Sequence, residues 1–334
     1  MTGRRQLERG AILSAFLIQA VWGASSALDF TRIIQGPPTQ TGTFLGSDKS
    51  GFLYAVGVTE DPADFSVTPG ALSVPPGSWP MVFLQKFSSD GSHVLVSALL
   101  GETWFPAFPN QETAAAVDSS GNVYVAFVLN GHVAGSPTWL GDPSGSIAVL
   151  KIDSGGDRVL SATRVAVGLG APLGIALDSD GSAYVAVVDQ VWKLDPAGNT
   201  TNYLHTFKET NQFGEDAYDG RAVRLAVLPD HSLYVMASPS FLYRLDPTGT
   251  TILARVDVGD GNVRLASLTA DGSGNAYVGG SATLGYTGPS TQVGYSTIAQ
   301  GVPPALIAKF DSSGSVVYFD QFDIGSVAAP SHSS

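Results

Sequence analysis

Cysteine is absent from all 334 residues. That excludes disulfides, thiolate nucleophiles, a lipid-bearing cysteine and cysteine metal ligands. Charge is also scarce, at 14% of residues, with 17 Lys and Arg against 29 Asp and Glu. Nucleic acid and anionic lipid both need clustered Lys and Arg, so neither fits as a partner. No segment beyond the N-terminus carries helical periodicity of useful length. Nucleophile motifs of the GxSxG type are missing, and no Ser/His/Asp arrangement can be assembled from the spacing. Glycine clusters occur, but no helix follows them, which leaves no phosphate loop. What the chain does have is 44% apolar residues, 39 Gly and 20 Pro, the composition of many short strands joined by turns.

Residues 1–27 read as a secretory signal. Arg4, Arg5 and Arg9 form a basic start, Ala11 to Trp22 an apolar run, and Ser25-Ser26-Ala27 a small-residue cleavage site. The apolar run of 12 residues is short of the roughly 18 to 20 that span a bilayer, so cleavage is expected and no stable membrane insertion after it. Removing Arg4, Arg5, Arg9 and Glu8 leaves 14 basic and 28 acidic residues, a mature net charge of −14. Export without disulfides fits a secreted, periplasmic or cell-surface protein of a bacterial envelope.

Two anchors alternate along the rest of the chain. The first is an apolar strand, a turn and a Tyr-containing strand, as in AVDSSGNVYV at Ala116 to Val125. It recurs with Tyr54, Tyr124, Tyr184, Tyr234 and Tyr277, and four copies keep DxxGxxY: Asp48/Gly51, Asp118/Gly121, Asp178/Gly181 and Asp271/Gly274. The fourth copy, LPDHSLY, departs from the pattern. The second anchor is an apolar strand with a basic residue, Lys86, Lys151, Lys193, Arg244 or Lys309, followed by a Gly turn and another β-rich run. Each unit is therefore four strands: a before the Asp, b around the Tyr, c around the basic residue and d after the Gly. Asp holds a tight hairpin turn and Gly supplies the positive φ of the following bulge. In VYVAFV both faces are apolar, so both must be covered, which radial stacking of four-stranded sheets achieves. Small residues at Gly46, Ala116, Ala176, Ala226 and Thr269 suit a crowded innermost strand a. Strand d carries His93, Asn202, His205 and Arg255, as an outer edge in water should.

The stretch Tyr54 to Gly101, with DFSVTPGA and KFSSDG inside it, resembles the SBBP family of bacterial β-propeller repeats, with kinship to NHL-type propellers. Ser66 stands where that family usually has Pro. The resemblance implies an all-β propeller of four-stranded antiparallel blades and names no reaction, cofactor or catalytic residue. Five anchor pairs imply five blades; Leu28 to Gly36 resembles a further strand d, which keeps six as the alternative. The domain is expected over 28–325, with a disordered tail over 326–334, as a monomer.

Short turns join a to b and c to d. Long insertions fall on the other connections: Thr59 to Trp79, Asn130 to Gly145 and Ser281 to Pro304 between b and c, Gly101 to Gln111 and Lys208 to Gly220 between d and a. Long loops on one end of a rigid scaffold are where binding is expected. Their aromatic residues, Phe65, Trp79, Trp104, Phe105, Trp139, Phe213, Tyr218 and Tyr286, are the candidate ligand contacts for a polysaccharide, a peptide or an envelope protein. The competing expectation is that these rings pin their own loops onto the blades. A glycosidase or lyase is the alternative function, using loop carboxylates such as Glu102, Glu112, Glu209, Glu215, Asp216 and Asp219. No cofactor or metal motif is found: DSDGS at Asp178 to Ser182 lacks the rest of a calcium loop, and the histidines are scattered, with His132 alone in a candidate loop.

Overall fold

The computed structural model describes residues 40–75, 77, 79–103, 113–142, 144–165, 172–187, 190–206, 209–210, 216–217, 222–237, 240–258, 263–282 and 305–322. The expected signal over 1–27, the extra strand over 28–36 and the tail over 326–334 lie outside these residues. The chain divides into two compact units at Pro172/Leu173.

In the first unit β1 (Gln40–Ser47), β2 (Leu53–Thr59), β3 (Met81–Phe87) and β4 (Val94–Thr103) form one antiparallel four-stranded run, a to d. The second run is β5 (Thr113–Val117), β6 (Val123–Val133), β8 (Ile147–Ile152) and β9 (Val159–Val165), with β7 (Trp139–Gly141) added parallel to β9. Strand β4 also pairs with β6. One core cluster holds the unit together, centred on Tyr54, Met81, Leu84, Leu99, Val125, Phe127 and Leu150.

The second unit repeats the pattern three times. Its sheets are β10 (Pro172–Leu177), β11 (Ala183–Val187), β12 (Gln190–Leu194) and β13 (Thr200–Thr206), then, after the two-residue strands β14 (Glu209–Thr210) and β15 (Asp216–Ala217), β16 (Ala222–Val227), β17 (Leu233–Ala237), β18 (Phe241–Leu245) and β19 (Ile252–Asp257). The last is β20 (Val263–Ala270), β21 (Ala276–Ala282), β22 (Ala305–Phe310) and β23 (Val316–Phe322). Two clusters, around Tyr184 and Val235 and around Tyr234 and Phe319, pack its sheets together.

The two sequence anchors prove to be direct partners. Tyr54 pairs with Lys86, Tyr124 with Lys151, Tyr184 with Lys193, Tyr234 with Arg244 and Tyr277 with Lys309. In each pair the cation lies over the ring, 4.8 to 5.9 Å from its centroid. The cation covers the open side of a ring whose own face is apolar packing. Two of the pairs also reach forward to the next repeat, although the Tyr54 hydroxyl itself donates to Asp48 of its own repeat at 2.8 Å. The Tyr54 hydroxyl stands 2.8 Å from where a Cβ on Gly121 would be, and Lys86 Nζ donates to Ser154 O at 3.0 Å. Likewise the Tyr234 hydroxyl donates to Gly274 O at 2.9 Å and Arg244 to Ser312 O at 2.8 Å.

The turns follow the sequence expectation. In each a-to-b turn the residue three after the Asp position donates its N–H back to that position's carbonyl, 2.9 to 3.1 Å away. The ten turns joining a to b or c to d all place positive φ at the same point, nine times on Gly and once on His231. Asp118 Oδ1 accepts the Ser120 and Asn122 amides, both at 2.9 Å. Strand d is less polar than its sequence suggests: Val94, Leu95, Leu160, Ile252, Leu253, Val316 and Val317 are exposed on these strands, while Arg255 stacks 4.4 Å over Phe241.

Candidate recognition site

The loop ends of the repeats are described best in the first unit, where the 59–80 connection leaves β2 and returns to β3. The sequence places this segment among the recognition loops. Instead it folds along the strands as a wedge. The Thr68 amide donates to Ser97 O at 2.9 Å, Leu72 to Gly156 O at 2.8 Å, and Leu99 back to Leu72 O at 3.0 Å. Ser97 Oγ donates to Ser66 O at 2.7 Å. Phe65, Leu72 and Val74 are buried in the core, and Phe65 lies 5.4 Å from Phe83, ring to ring. Phe65 is thus corrected from a ligand contact to a packing residue. Its ring faces inward because the segment carries a run of apolar residues that can be withdrawn from water only against β3 and β4.

Trp79 closes the same segment and is 43% exposed. Trp139, on β7, is half-buried against the core, with the Arg164 guanidinium 4.6 Å from its ring. Trp104, Phe105, Phe213, Tyr218 and Tyr286 lie outside the described residues, as do Glu112, Glu215 and Asp219. Strands β4 and β6 both run past the points where loops are expected to begin, which makes Glu102 a strand residue. Its side chain is 9% exposed against 84% for that of His132. Glu102 Oε2 accepts the His132 amide at 2.9 Å and sits 3.1 Å from His132 Nδ1. Gly77 and Gly131 leave room for the carboxylate, since a Cβ on either would collide with it. The buried carboxylate therefore fixes the exposed imidazole by one nitrogen and presents the other to solvent, an arrangement suited to hydrogen bonding or proton exchange with a ligand.

The turn end of the second unit contains a second grouping. His231 Nδ1 lies 2.8 and 2.9 Å from the two carboxylate oxygens of Asp178, one repeat earlier. Asp180 joins them: one ligand atom from each of Asp178, Asp180 and His231 lies within 4.8 Å of the others. In the sequence the two parts are far apart, Asp178 and Asp180 in DSDGS and His231 in LPDHSLY. The signal that links them is that His231 occupies the glycine place in LPDHSLY, so its side chain must point where sister repeats have nothing.

No family model matches the sequence, and no curated protein matches it. Solved structures do. The WD40 domain of Neurospora crassa Pan2 is 11% identical with a TM-score of 0.50, over 85% of this chain and 66% of that one. The fold is a β-propeller fold. A protein of unknown function from Bacteroides caccae is similar over 83% of this chain and 92% of its own, with 16% identity and a TM-score of 0.43. BamB from Moraxella catarrhalis matches over 84% and 77%, with 13% identity and a TM-score of 0.40. The propeller assignment is one of architecture, repeats of four antiparallel strands, and fold by itself carries no function.

Proposed function

We infer that the chain is an exported, non-enzymatic binding module of SBBP type, acting at the cell surface, in the periplasm or outside the cell. In this reading residues 1–27 are removed on export, 28–325 form one propeller of five blades, and 326–334 are a tail. The observation that carries the binding role is the difference between the two ends of the repeats. At the turn end, Tyr54 and Lys86, and Tyr234 and Arg244, tie their repeats to the next. The loop end offers Trp79, 43% exposed, and an exposed His132 fixed by buried Glu102. An exposed amphipathic ring and a fixed hydrogen-bonding group at the same end of the repeats suit a sugar or a peptide. Trp104, Phe105, Trp139, Phe213, Tyr218 and Tyr286 extend the proposed surface; Phe65 does not.

The test is a binding screen of the chain from residue 28 against peptidoglycan, soluble polysaccharides and envelope proteins, repeated with Trp79→Ala combined with Trp104→Ala. Loss of a bound ligand at an unchanged melting temperature supports the reading. Full retention of binding by the double variant sinks it.

A further inference from the structure

We propose that Asp178, Asp180 and His231 form a binding site for a divalent first-row transition-metal ion, joining the third repeat to the fourth. Asp178 and Asp180 belong to the β10–β11 turn and His231 to the β16–β17 turn, all within the second unit.

The His231–Asp178 spacing is that of an ion pair and also fits two ligands of one ion. Adjacent ligands on an ion with bonds of about 2.0 to 2.1 Å stand about 2.9 Å apart when they subtend a right angle. His231 Nδ1 already lies at 2.8 and 2.9 Å from the Asp178 oxygens. Asp180, exposed on the same turn, brings the third ligand atom within 4.8 Å of the others. Exposure is graded as entry from solvent requires: the Asp178 side chain is 1% exposed and that of His231 45%. An ion would seat on a buried carboxylate and be reached past the imidazole and Asp180. Two carboxylates balance the charge of a divalent ion, and the imidazole selects transition metals over calcium or magnesium. Lys193 is the opposing feature, since its charge acts on Asp180.

Three departures from the sister turns coincide here. In those turns the Asp carboxylate serves its own loop: Asp48, Asp118 and Asp271 each take the amides two and four residues on. Asp178 takes the Ser179 amide instead and faces His231, while Asp180 accepts the Ser182 amide. Asp180 stands where three sister turns have Ser50, Ser120 and Ser273, while the fourth has Asp230, which accepts the Ser232 amide and pairs with Arg244. His231 holds φ of 63°, a left-handed conformation uncommon outside Gly, into which His, Asn and Asp enter more often than other residues. Asp180 also serves its own turn through the Ser182 amide, and with Asp178 and His231 it assembles a donor set.

The test uses the full chain after treatment with chelator and desalting. Zn2+ is titrated calorimetrically, and Co2+ is followed by its visible absorption. One equivalent should bind and raise the melting temperature. His231→Gly, a residue suited to the local φ, should weaken binding by about 100-fold or more, because a direct ligand is worth at least the 10- to 100-fold of an outer-shell partner. Asp180→Ser restores the sister residue at an exposed position and should weaken binding about 10-fold or more; it carries the test if His231→Gly does not fold. His93→Ala, at an exposed histidine outside both sites, should bind as the parent does. Absence of saturable binding below about 1 mM, or parental affinity in both His231→Gly and Asp180→Ser, overturns the proposal.

Discussion

Phe65→Ala separates a wedge from a recognition loop. A largely buried phenylalanine withdraws on the order of 150 Å² from water, worth about 4 kcal/mol at 25 cal/mol per Å². Phe65 is 8% exposed and touches Phe83 at 5.4 Å. Alanine keeps part of the burial, and a segment anchored by backbone bonds at Thr68 and Leu72 cannot fully collapse into the space left. The expected loss is about 3 kcal/mol, the lower end of the range for such a truncation. Equilibrium urea unfolding followed by tryptophan fluorescence reads it as a lower midpoint at an unchanged slope. Trp79→Ala, at a 43% exposed ring on the same segment, should shift stability by less than about 1 kcal/mol. Should Phe65→Ala cost under about 0.5 kcal/mol, the scale of an ordinary surface change, the wedge assignment is wrong and the ring belongs to the surface.

The tyrosines set an alkaline limit. Desolvation by burial, ahead of other causes, raises the Tyr54, Tyr184 and Tyr234 hydroxyls above the ordinary value of 10.0. A raised folded-state value favours the protonated form, so this stability is fully present below pH 10 and is lost as pH climbs toward the folded-state values. Thermal midpoints should be insensitive to these groups below pH 10 and fall above it, less steeply in Tyr54→Phe; an identical decline in that variant would exclude Tyr54. Gly121→Ala and Gly70→Ala share positive φ, at 81° and 86°, but a Cβ meets the Tyr54 hydroxyl at 2.8 Å in the first case and nothing within 4 Å in the second. Both should lose about 1 kcal/mol from the backbone, with Gly121→Ala losing about 1 kcal/mol or more beyond that from the contact. Equal losses in chemical denaturation would show that the Tyr54 contact contributes nothing.

The repeat architecture was legible because its determinants are local. Tyr124, Lys151 and the DSSG turn sit at strand and turn spacings that most copies display, and their recurrence located the four-stranded units seen among the described residues. That Tyr and cation stack, and that two such pairs reach the following repeat, depends on register and on sheet packing, which spacing does not encode. The 59–80 segment misled for a similar reason: Pro, Gly and Ser mark it as a surface loop, while Phe65, Leu72 and Val74 decide where it lies. Glu102 read as a loop carboxylate because a charged residue at a strand end has no periodic signature; two glycines from distant positions, Gly77 and Gly131, create its burial. His231 was visible as an irregular turn, but its partner lies 53 residues earlier, beyond any local rule.

The forward reach of Tyr54 with Lys86 and of Tyr234 with Arg244 makes head-to-tail couplers of the first and fourth repeats: each offers a hydroxyl and a cation to a small turn of the next. Units built to one gauge can be duplicated, deleted or reordered without redesign of the joint. At the third and fourth repeats that gauge is broken, because His231 fills the socket and requires Asp178 opposite it. Those two repeats have become keyed to each other, and a rearrangement of the gene that separates them would strand a buried carboxylate on one side and an imidazole on the other.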